Sequence, residues 1–169
     1  MSQEAQTGFN VLPLNGGGGL ILSAHPAGLP GLSPEQAVNQ YGQLGARALV
    51  SLVTDPELQK LGLTMLPELC EVNRIRWLHG PIEDYQAPNA LFDQWWLKNR
   101  DVLHAMLDAG HSLALHCWGG RGRTGTVAAR VLVERGFAPL DAMAIVRAHR
   151  PGAIETTEQA DYVMALSAK

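Results

Sequence analysis

The chain has 169 residues, of which 46% are hydrophobic and 17% are charged, and its formal net charge is −3. This length and composition predict one globular domain with a hydrophobic core. The small negative charge argues against binding to nucleic acid or to an anionic membrane surface.

The cysteine content and the first residues bear on the compartment. The two cysteines, Cys70 and Cys117, give no disulfide framework, which favours a reducing environment. The first ten residues lack the basic and apolar regions of a secretion signal. No apolar run approaches the roughly 20 residues of a membrane span. We therefore predict a cytoplasmic protein without a membrane span.

Two kinds of apolar pattern alternate along the chain. Residues 1–18 are predicted to be a flexible N-terminal arm that ends in a glycine run. Short apolar or alternating runs predict strands at 20–23, 48–53, 75–79 and 112–116. Longer segments, some with a capping residue or an early proline, predict helices at 34–44, 55–61, 66–72, 90–109, 125–135, 140–149 and 156–167. This alternation indicates an α/β fold, with residues 19–169 forming one domain around a central, largely parallel sheet of about four or five strands flanked by helices.

A glycine-rich segment lies between the last predicted strand and the helix that follows it. It reads His116-Cys117-Trp118-Gly119-Gly120-Arg121-Gly122-Arg123-Thr124-Gly125. A helix N-terminus offers unpaired N–H groups and partial positive charge, and glycines let the preceding loop curl so that its N–H groups point inward. A planar guanidinium can in addition grip two phosphate oxygens at once. We therefore predict a phosphate site formed by Trp118, Gly119, Gly120, Arg121, Gly122 and Arg123.

The same loop contains a nucleophile. The positive field of the loop favours the thiolate form of Cys117, which can attack phosphorus. Thr124 is expected to give its hydroxyl to the thiolate and to stabilise it as a leaving group. His116 is expected to brace the loop by a hydrogen bond. A buried cysteine beside a glycine-rich turn is the alternative interpretation.

The pattern of His116, Cys117, Gly120, Arg123, Thr124 and Gly125 resembles the active-site signature of the cysteine-dependent protein tyrosine phosphatase superfamily. The resemblance implies a phosphate monoester hydrolase that forms a phosphocysteine intermediate and needs no metal and no cofactor. Over residues 20–162 the chain is most similar to small atypical dual-specificity phosphatases of the kinase-associated type. The domain at 19–169 is accordingly expected to be a phosphatase domain.

Loss of an alkoxide or phenoxide requires a proton, so this chemistry needs a general acid on a nearby loop. Asp84 lies in the segment 81–88, Pro-Ile-Glu-Asp-Tyr-Gln-Ala-Pro, which resembles the general-acid loop of compact dual-specificity phosphatases. The resemblance implies that Asp84 protonates the leaving group and later, as a carboxylate, activates water. Glu83 is the main alternative and Asp55 a weaker one. A turn-capping role for Asp84 also stays open.

A third similarity lies at residues 147–159. In the same family an Arg-Pro-Gly-Ala-Ile stretch after the signature loop precedes a helix that carries a glutamine. This implies that Gln159 helps to place the hydrolytic water or packs against the loop, with an exposed helix glutamine as the alternative. Arg147 and Arg150 are expected either to hold the loop through ion pairs or carbonyl contacts or to lie on a solvated face.

Two residues depart from the usual pattern of the family. Trp118, directly after Cys117, is bulky and is expected to form part of the pocket rim. Arg121 adds a second cation, as in phosphoinositide phosphatases that resemble tensin, although the further lysine of that group is absent. Arg121 therefore raises a phosphoinositide or a polyphosphorylated small molecule as substrate, and an exposed arginine paired with a carboxylate is the alternative.

No catalytic or metal-binding role is expected for the remaining histidines, for Cys70 or for the tryptophan pair. The histidines at 25, 79, 104, 111 and 149 lack the spacing of metal ligands, so no metal site is expected. Cys70 lies in an apolar helical pattern and is predicted to be a buried, inert thiol, with a disulfide to Cys117 as the alternative. The pair Trp95 and Trp96 is expected to place one ring in the core and one near the surface.

Several functions are compatible with these motifs. The preferred one is hydrolysis of phosphotyrosine, phosphoserine or phosphothreonine in proteins, followed by hydrolysis of phosphoinositides or small phosphorylated molecules. A non-catalytic phosphate-binding module is disfavoured because Cys117, Arg123, Thr124 and a loop aspartate are all present. An arsenate reductase or a sulfurtransferase is disfavoured because the motif lies two-thirds along the chain, after a separate acid loop. The sequence does not predict an oligomeric state.

Overall fold

Five strands and seven helices alternate along residues 8–167, the part of the chain that the computed structural model describes. The strands are β1 (Phe9–Pro13), β2 (Gly19–Ser23), β3 (Ala46–Ser51), β4 (Arg76–His79) and β5 (Ser112–His116). The helices are α1 (Pro34–Gln43), α2 (Asp55–Lys60), α3 (Leu66–Val72), α4 (Ala90–Asp108), α5 (Gly122–Glu134), α6 (Pro139–His149) and α7 (Thr157–Met164).

The strands form one sheet in the order β1-β2-β5-β3-β4. β5 is parallel to both of its neighbours, β2 and β3, and β3 is parallel to β4. Every residue of β5 is buried, as expected for the middle strand of a parallel sheet covered by helices. The register places Ser23 on one side of His116 and Ser51 on the other. The α/β fold with a largely parallel five-stranded sheet is therefore confirmed.

The prediction of a flexible arm over residues 1–18 is wrong at 9–13, and residues 1–7 lie outside the described residues. Residues 9–13 form β1, which pairs antiparallel with β2. The N–H of Leu14 donates to the carbonyl of Gly18 across 2.8 Å and closes the hairpin. Phe9 and Leu12 are buried, so the hairpin adds to the core. The glycine run thus supplies a hairpin turn and the start of β2 instead of a hinge.

Local sequence signals explain most helix ends. Ser33 caps α1 and Thr54 caps α2, each through a reciprocal hydrogen-bond pair with the side chain three residues later. α5 begins at Gly122, three residues before the predicted start, because the end of the glycine-rich loop already has helical geometry. α7 ends at Met164, before the predicted 167.

Helices cover the sheet and complete the core. α4 and α5 contact β5, and α5 packs against α6 and α7. Trp96 of α4 is fully buried, whereas Trp95 is half-buried against Gly80. Cys70 is a buried free thiol, and burial raises its pKa to about 12, which makes it unreactive at neutral pH.

Candidate active site

The glycine-rich loop lies at the carboxyl end of the central strand. β5 ends at His116, the chain passes through Cys117, and α5 begins at Gly122. This edge of a parallel sheet is where ligands usually bind. The N-terminus of α5 also directs unpaired N–H groups and partial positive charge toward the loop. The fold therefore places the cysteine where an anion is favoured.

Gly120 determines the curvature of the loop. Its φ of 75° lies in the left-handed region, which favours glycine. A Cβ atom at this position would lie 2.2 Å from the carbonyl oxygen of Ser23, so a side chain does not fit. The N–H of Gly120 donates to Sγ of Cys117 across 3.2 Å. One backbone dipole of the loop thus already points at the sulfur.

Arg150 holds the outer side of the loop. Its Nε donates to the carbonyl of Gly120 (3.0 Å) and its Nη2 to the carbonyl of Gly119 (2.9 Å). Its Nη1 donates to Oδ1 of Asn10 in β1 across 2.7 Å. Because a trans peptide is planar, the N–H groups of these two peptide units point away from Arg150. The N–H of Gly120 shares its peptide unit with the Gly119 carbonyl, and it is the one that donates to Sγ of Cys117. Arg150 therefore orients the inward-facing donors.

Arg123, the second residue of α5, is 1% exposed and links three elements. Its Nη1 donates to Oε1 of Glu57 (2.8 Å) and to the carbonyl of Ile82 (2.8 Å), and its Nη2 donates to Oε2 of Glu57 (2.9 Å). Oδ1 of Asp84 lies 3.1 Å from the same Nη2. Burial alone would lower the pKa of Arg123, but the hydrogen bonds that it donates to Glu57 and the nearby charges of Cys117, Glu57 and Asp84 raise it. The guanidinium is therefore a fixed cation.

Glu57 is a site residue that the sequence analysis missed. Burial alone would raise the pKa of Glu57, but hydrogen bonds from Arg123 and Thr54 lower it, so the side chain is a carboxylate. The sequence did contain a local signal, since Thr54 and Glu57 form a capping box at the start of α2. That signal predicts a helix start, whereas the pairing with Arg123 is a contact across 66 positions.

Two buried polar atoms of the motif have no hydrogen-bond partner among the described residues: Nε of Arg123 and Oγ1 of Thr124. Buried polar groups are almost always satisfied, so each unpaired one requires an explanation. Both belong to the first helical turn after the loop that contains Cys117. The Nε–H of Arg123 is free to meet an anion bound over the sulfur, and the hydroxyl of Thr124 is free to donate to that anion or to the sulfur itself.

The proposed acid loop follows β4 and lies across the mouth of the site. Glu83 and Asp84 both line a pocket of about 480 Å³, together with Glu57 and Trp118. Asp84 is half-exposed, and its Oδ1 also accepts the N–H of Tyr85 across 3.0 Å. Of the two neighbouring carboxylates, Asp84 is the one within 4.0 Å of Arg123.

Asp55, the weaker alternative acid, lies elsewhere. Its side chain is exposed, and its Oδ1 is 3.7 Å from Nδ1 of His79. It lines a separate pocket on the other side of α2, together with Leu58 and Trp77. This position makes a direct role for Asp55 at Cys117 geometrically unfavourable.

Gln159 is buried and connects the acid loop to the start of α7. Its Oε1 accepts the N–H groups of Glu155 (2.9 Å) and Thr156 (3.2 Å), and its Nε2 donates to the carbonyl of Gln86 (3.2 Å). The same side chain lies against Gly122, where an added Cβ would be 3.1 Å from Nε2. Gln159 therefore packs against the loop and is not an exposed helix residue.

Two arginines near the loop make contacts with backbone carbonyls. Arg147 donates to the carbonyls of Ala153 (3.0 Å) and Ile154 (3.1 Å) and so shapes the segment before α7. Arg121 is exposed, and its Nε donates to the carbonyl of Pro151 across 3.3 Å. The guanidinium of Arg121 thus lies beside the loop, next to solvent.

Trp118 forms part of the rim. It is 37% exposed, lines the 480 Å³ pocket, and packs edge-on against His25 with the ring centroids 5.6 Å apart. Nζ of Lys60 lies 5.8 Å from the centre of the Trp118 ring. Tyr85, which is exposed, lines the same pocket. The mouth therefore combines aromatic surface with charged groups.

His116 is completely buried behind the nucleophile. Its Nδ1 lies 3.0 Å from the carbonyl oxygen of Cys117, and its Nε2 lies 2.6 Å from Oγ of Ser51. Burial lowers the pKa of His116 to about 4, against the opposing effect of the hydrogen bond to Cys117. The imidazole is therefore neutral at physiological pH.

Within residues 8–167, no group of three or more His, Cys, Asp or Glu side chains is arranged to hold a metal ion. In the same range, no helix combines the length and apolar character that crossing a bilayer requires.

Comparison with known proteins gives a consistent result. Residues 28–137, more than half of the chain, match the family model described as "Tc-R-P: Polymorphic toxin system, DSP-PTPase phosphatase". Protein tyrosine phosphatase type IVA 3 of Mus musculus is 30% identical over 113 residues, which cover 60% of this chain. The aligned part spans 64% of the length of that relative.

Solved structures resemble the whole described domain. Kinase associated phosphatase, crystallised with its catalytic-site cysteine replaced by serine, superimposes with a TM-score of 0.78 at 25% identity, covering 93% of this chain and 92% of that one. The active form of Tk-PTP gives a TM-score of 0.69 at 30% identity, covering 90% and 92%. These similarities extend beyond the region matched by the family model.

Proposed function

Because the chain belongs to the DSP-PTPase phosphatase family described for polymorphic toxin systems, we propose that it hydrolyses phosphate monoesters through a phosphocysteine intermediate on Cys117. The proposed reaction needs no metal ion and no cofactor. The reducing cytoplasm is the proposed location, because there a reactive thiol stays reduced.

The observation that carries this proposal is the pair of unpaired buried donors near Cys117. Among the residues that the structure describes, Nε of Arg123 and Oγ1 of Thr124 are the buried side-chain polar atoms of the motif that have no hydrogen-bond partner. Leaving a buried donor unpaired costs about 1–3 kcal/mol, so a structural role alone does not account for them. A phosphoryl group held over Sγ would pair with the guanidinium, and the hydroxyl would donate to the sulfur.

In the first proposed step, the thiolate of Cys117 attacks phosphorus and forms an S–P bond while the P–O bond to the leaving group breaks. The loop N–H groups and Arg123 stabilise the charge on the equatorial oxygens in the transition state. Asp84, at the pocket mouth, gives its proton to the departing oxygen.

In the second step, water attacks the phosphocysteine. The Asp84 carboxylate accepts a proton from the water, the S–P bond breaks, and inorganic phosphate and the thiolate are released. Thr124 donates its hydroxyl to the leaving sulfur. We propose that Gln159, which holds the acid loop through Gln86, supports this step.

We propose phosphorylated proteins as the substrates, at phosphotyrosine, phosphoserine or phosphothreonine. The pocket beside the loop is open and lined by mixed aromatic and charged side chains, which suits a side chain presented by a larger partner. The exposed guanidinium of Arg121 keeps phosphoinositides and small polyphosphorylated molecules as the alternative class.

The test is steady-state release of inorganic phosphate in EDTA. The panel contains an aryl phosphate, phosphotyrosine and phosphothreonine peptides, a phosphoinositide and a sugar phosphate. Turnover of the aryl phosphate and of a phosphopeptide is expected. Turnover confined to the phosphoinositide would overturn the substrate class. No turnover of any substrate, with the purified protein folded, would overturn the phosphatase proposal.

A further inference from the structure

A chain of hydrogen bonds runs from the edge strand β4, across β3, to the backbone of Cys117. Nε1 of Trp77, in β4, lies 2.9 Å from Oγ of Ser51, in β3. Oγ of Ser51 lies 2.6 Å from Nε2 of His116, at the end of β5. Nδ1 of His116 lies 3.0 Å from the carbonyl oxygen of Cys117.

The direction of every bond in this chain follows from the chemistry of its atoms. A carbonyl oxygen can only accept, so Nδ1 of His116 carries the proton. The imidazole is neutral, so its Nε2 is an acceptor and the hydroxyl of Ser51 donates to it. An indole nitrogen can only donate, so Trp77 donates to Ser51. All three donors therefore point the same way, toward Cys117.

We propose that Trp77 and Ser51 are positioning residues that fix the Nδ1–H tautomer of His116 and direct the positive ends of three aligned dipoles at Cys117. In a buried site such dipoles reinforce one another and stabilise negative charge at their positive end. The hydrogen bond from His116 also holds the Cys117 carbonyl inward. The effect on catalysis rests on the proposed role of Cys117 as nucleophile. The assignment of the His116 tautomer does not depend on that role.

The tautomer is tested directly by NMR. Long-range ¹H–¹⁵N spectra of the full chain labelled with ¹⁵N-histidine should show a protonated Nδ1 and an unprotonated Nε2 for His116, assigned by its loss in His116→Gln. Protonation at Nε2 in the wild type would overturn the inference. This measurement needs no turnover, so it does not depend on whether the protein is a phosphatase.

The effect on Cys117 is tested by the pH dependence of its alkylation with iodoacetamide, followed by peptide mass spectrometry so that Cys70 is counted separately. Ser51→Ala removes the central link. On the acidic limb of the profile, its alkylation rate should fall about threefold or more relative to wild type, because a change of half a pKa unit corresponds to about that ratio. At a pH high enough to ionise the thiol fully, the two rates should agree. Trp77→Phe removes only the first donor and should give a smaller change in the same direction.

Ser23→Ala is the matched control. Ser23 is also fully buried and flanks His116 on the other side, but its hydroxyl binds Tyr41 and the carbonyl of Ala24 instead of the imidazole. All three variants keep the other titratable groups that act on His116 or Cys117. These groups are His25, His79, Arg123 and Arg150. Equal pH profiles for Ser51→Ala and wild type, or equal shifts for Ser51→Ala and Ser23→Ala, would overturn the positioning role.

Discussion

Glu57 holds both terminal nitrogens of Arg123, with Oε1 2.8 Å from Nη1 and Oε2 2.9 Å from Nη2. This pairing uses the outer edge of the guanidinium, and Nε has no hydrogen-bond partner within residues 8–167. Glu57 therefore fixes the orientation in which Arg123 meets a substrate, although it belongs to a different helix.

Glu57→Gln should weaken transition-state binding. The amide keeps the shape of the side chain but removes the charge and places an N–H₂ group against the guanidinium. A small misplacement of a catalytic group can cost about 100-fold, so kcat/KM for an aryl phosphate should fall about 10- to 100-fold. Glu68→Gln, an exposed glutamate in α3, is the control, and equal rates for the two variants would show that Glu57 does not position Arg123.

Arg123→Lys should cost much more. Lysine keeps the charge and can still pair with Glu57, but it offers a point charge in place of the planar fork. Because such contacts count most in the transition state, kcat should fall by at least about 100-fold. Steady-state kinetics beside Arg47→Lys, an exposed arginine in β3, measure this, and a rate near that of wild type would refute the role of Arg123.

Asp84→Asn should make the rate of hydrolysis depend more strongly on the leaving group, because the variant lacks the proposed general acid. Hydrolysis of alkyl phosphates, whose leaving groups need a proton, should drop sharply, whereas esters of acidic phenols should be much less affected. The alkaline limb of the pH–rate profile should flatten in the variant because the essential acid is lost.

Glu83→Gln is compared in the same assays, because Glu83 lines the same pocket. If Glu83→Gln is more damaging, and Asp84→Asn treats good and poor leaving groups alike, the acid is Glu83 and the loop at 81–88 has been assigned in the wrong register.

Local patterns predicted most of the elements, and long-range contacts account for what they missed. The middle strand at 112–116 and the helix at 66–72 were predicted with the observed bounds, because each has a clear apolar pattern and a clear stop. β1 was missed because a short strand that contains a proline shows little alternation, and pairing with β2 is what orders it.

The residues of the candidate site also fall into two groups, those recognisable from local sequence and those brought in by long-range contacts. The contiguous motif at 116–125 could be recognised because its residues are neighbours in sequence. Glu57 could not, because its contact with Arg123 depends on how α2 packs beside the loop. Asn10 was missed for the same reason: its bond to Arg150 joins residues 140 positions apart.

Glu134 should make the fold sensitive to acid. This buried carboxylate accepts hydrogen bonds from Trp96, Arg100, His104 and Arg130. Burial alone would raise its pKa, but the hydrogen bonds from His104, Trp96 and Arg130 lower it to about 2. The unfolded chain binds this proton near the ordinary glutamate value of about 4.3. The stabilisation is therefore complete above that value and is lost as the pH falls toward 2.

Urea unfolding at a series of pH values tests this. Glu134→Gln should lower the free energy of unfolding at pH 7 by on the order of 3 kcal/mol. The variant should also lose less stability than wild type between pH 5 and pH 2, in about the range set by these two pKa values. Glu71→Gln, an exposed position in α3, is the control. Parallel stability curves for wild type and Glu134→Gln would contradict the assignment.

The central claim is that Cys117 carries the phosphoryl group during turnover. The most direct measurement is acid quenching of the full chain during hydrolysis of an aryl phosphate, followed by peptide mass spectrometry. The account predicts one added phosphoryl group on the peptide that contains Cys117, and neither this adduct nor turnover in Cys117→Ser, because a serine hydroxyl does not ionise at neutral pH. Substantial phosphate release by Cys117→Ser, or a phosphoryl group trapped on another residue, would contradict it.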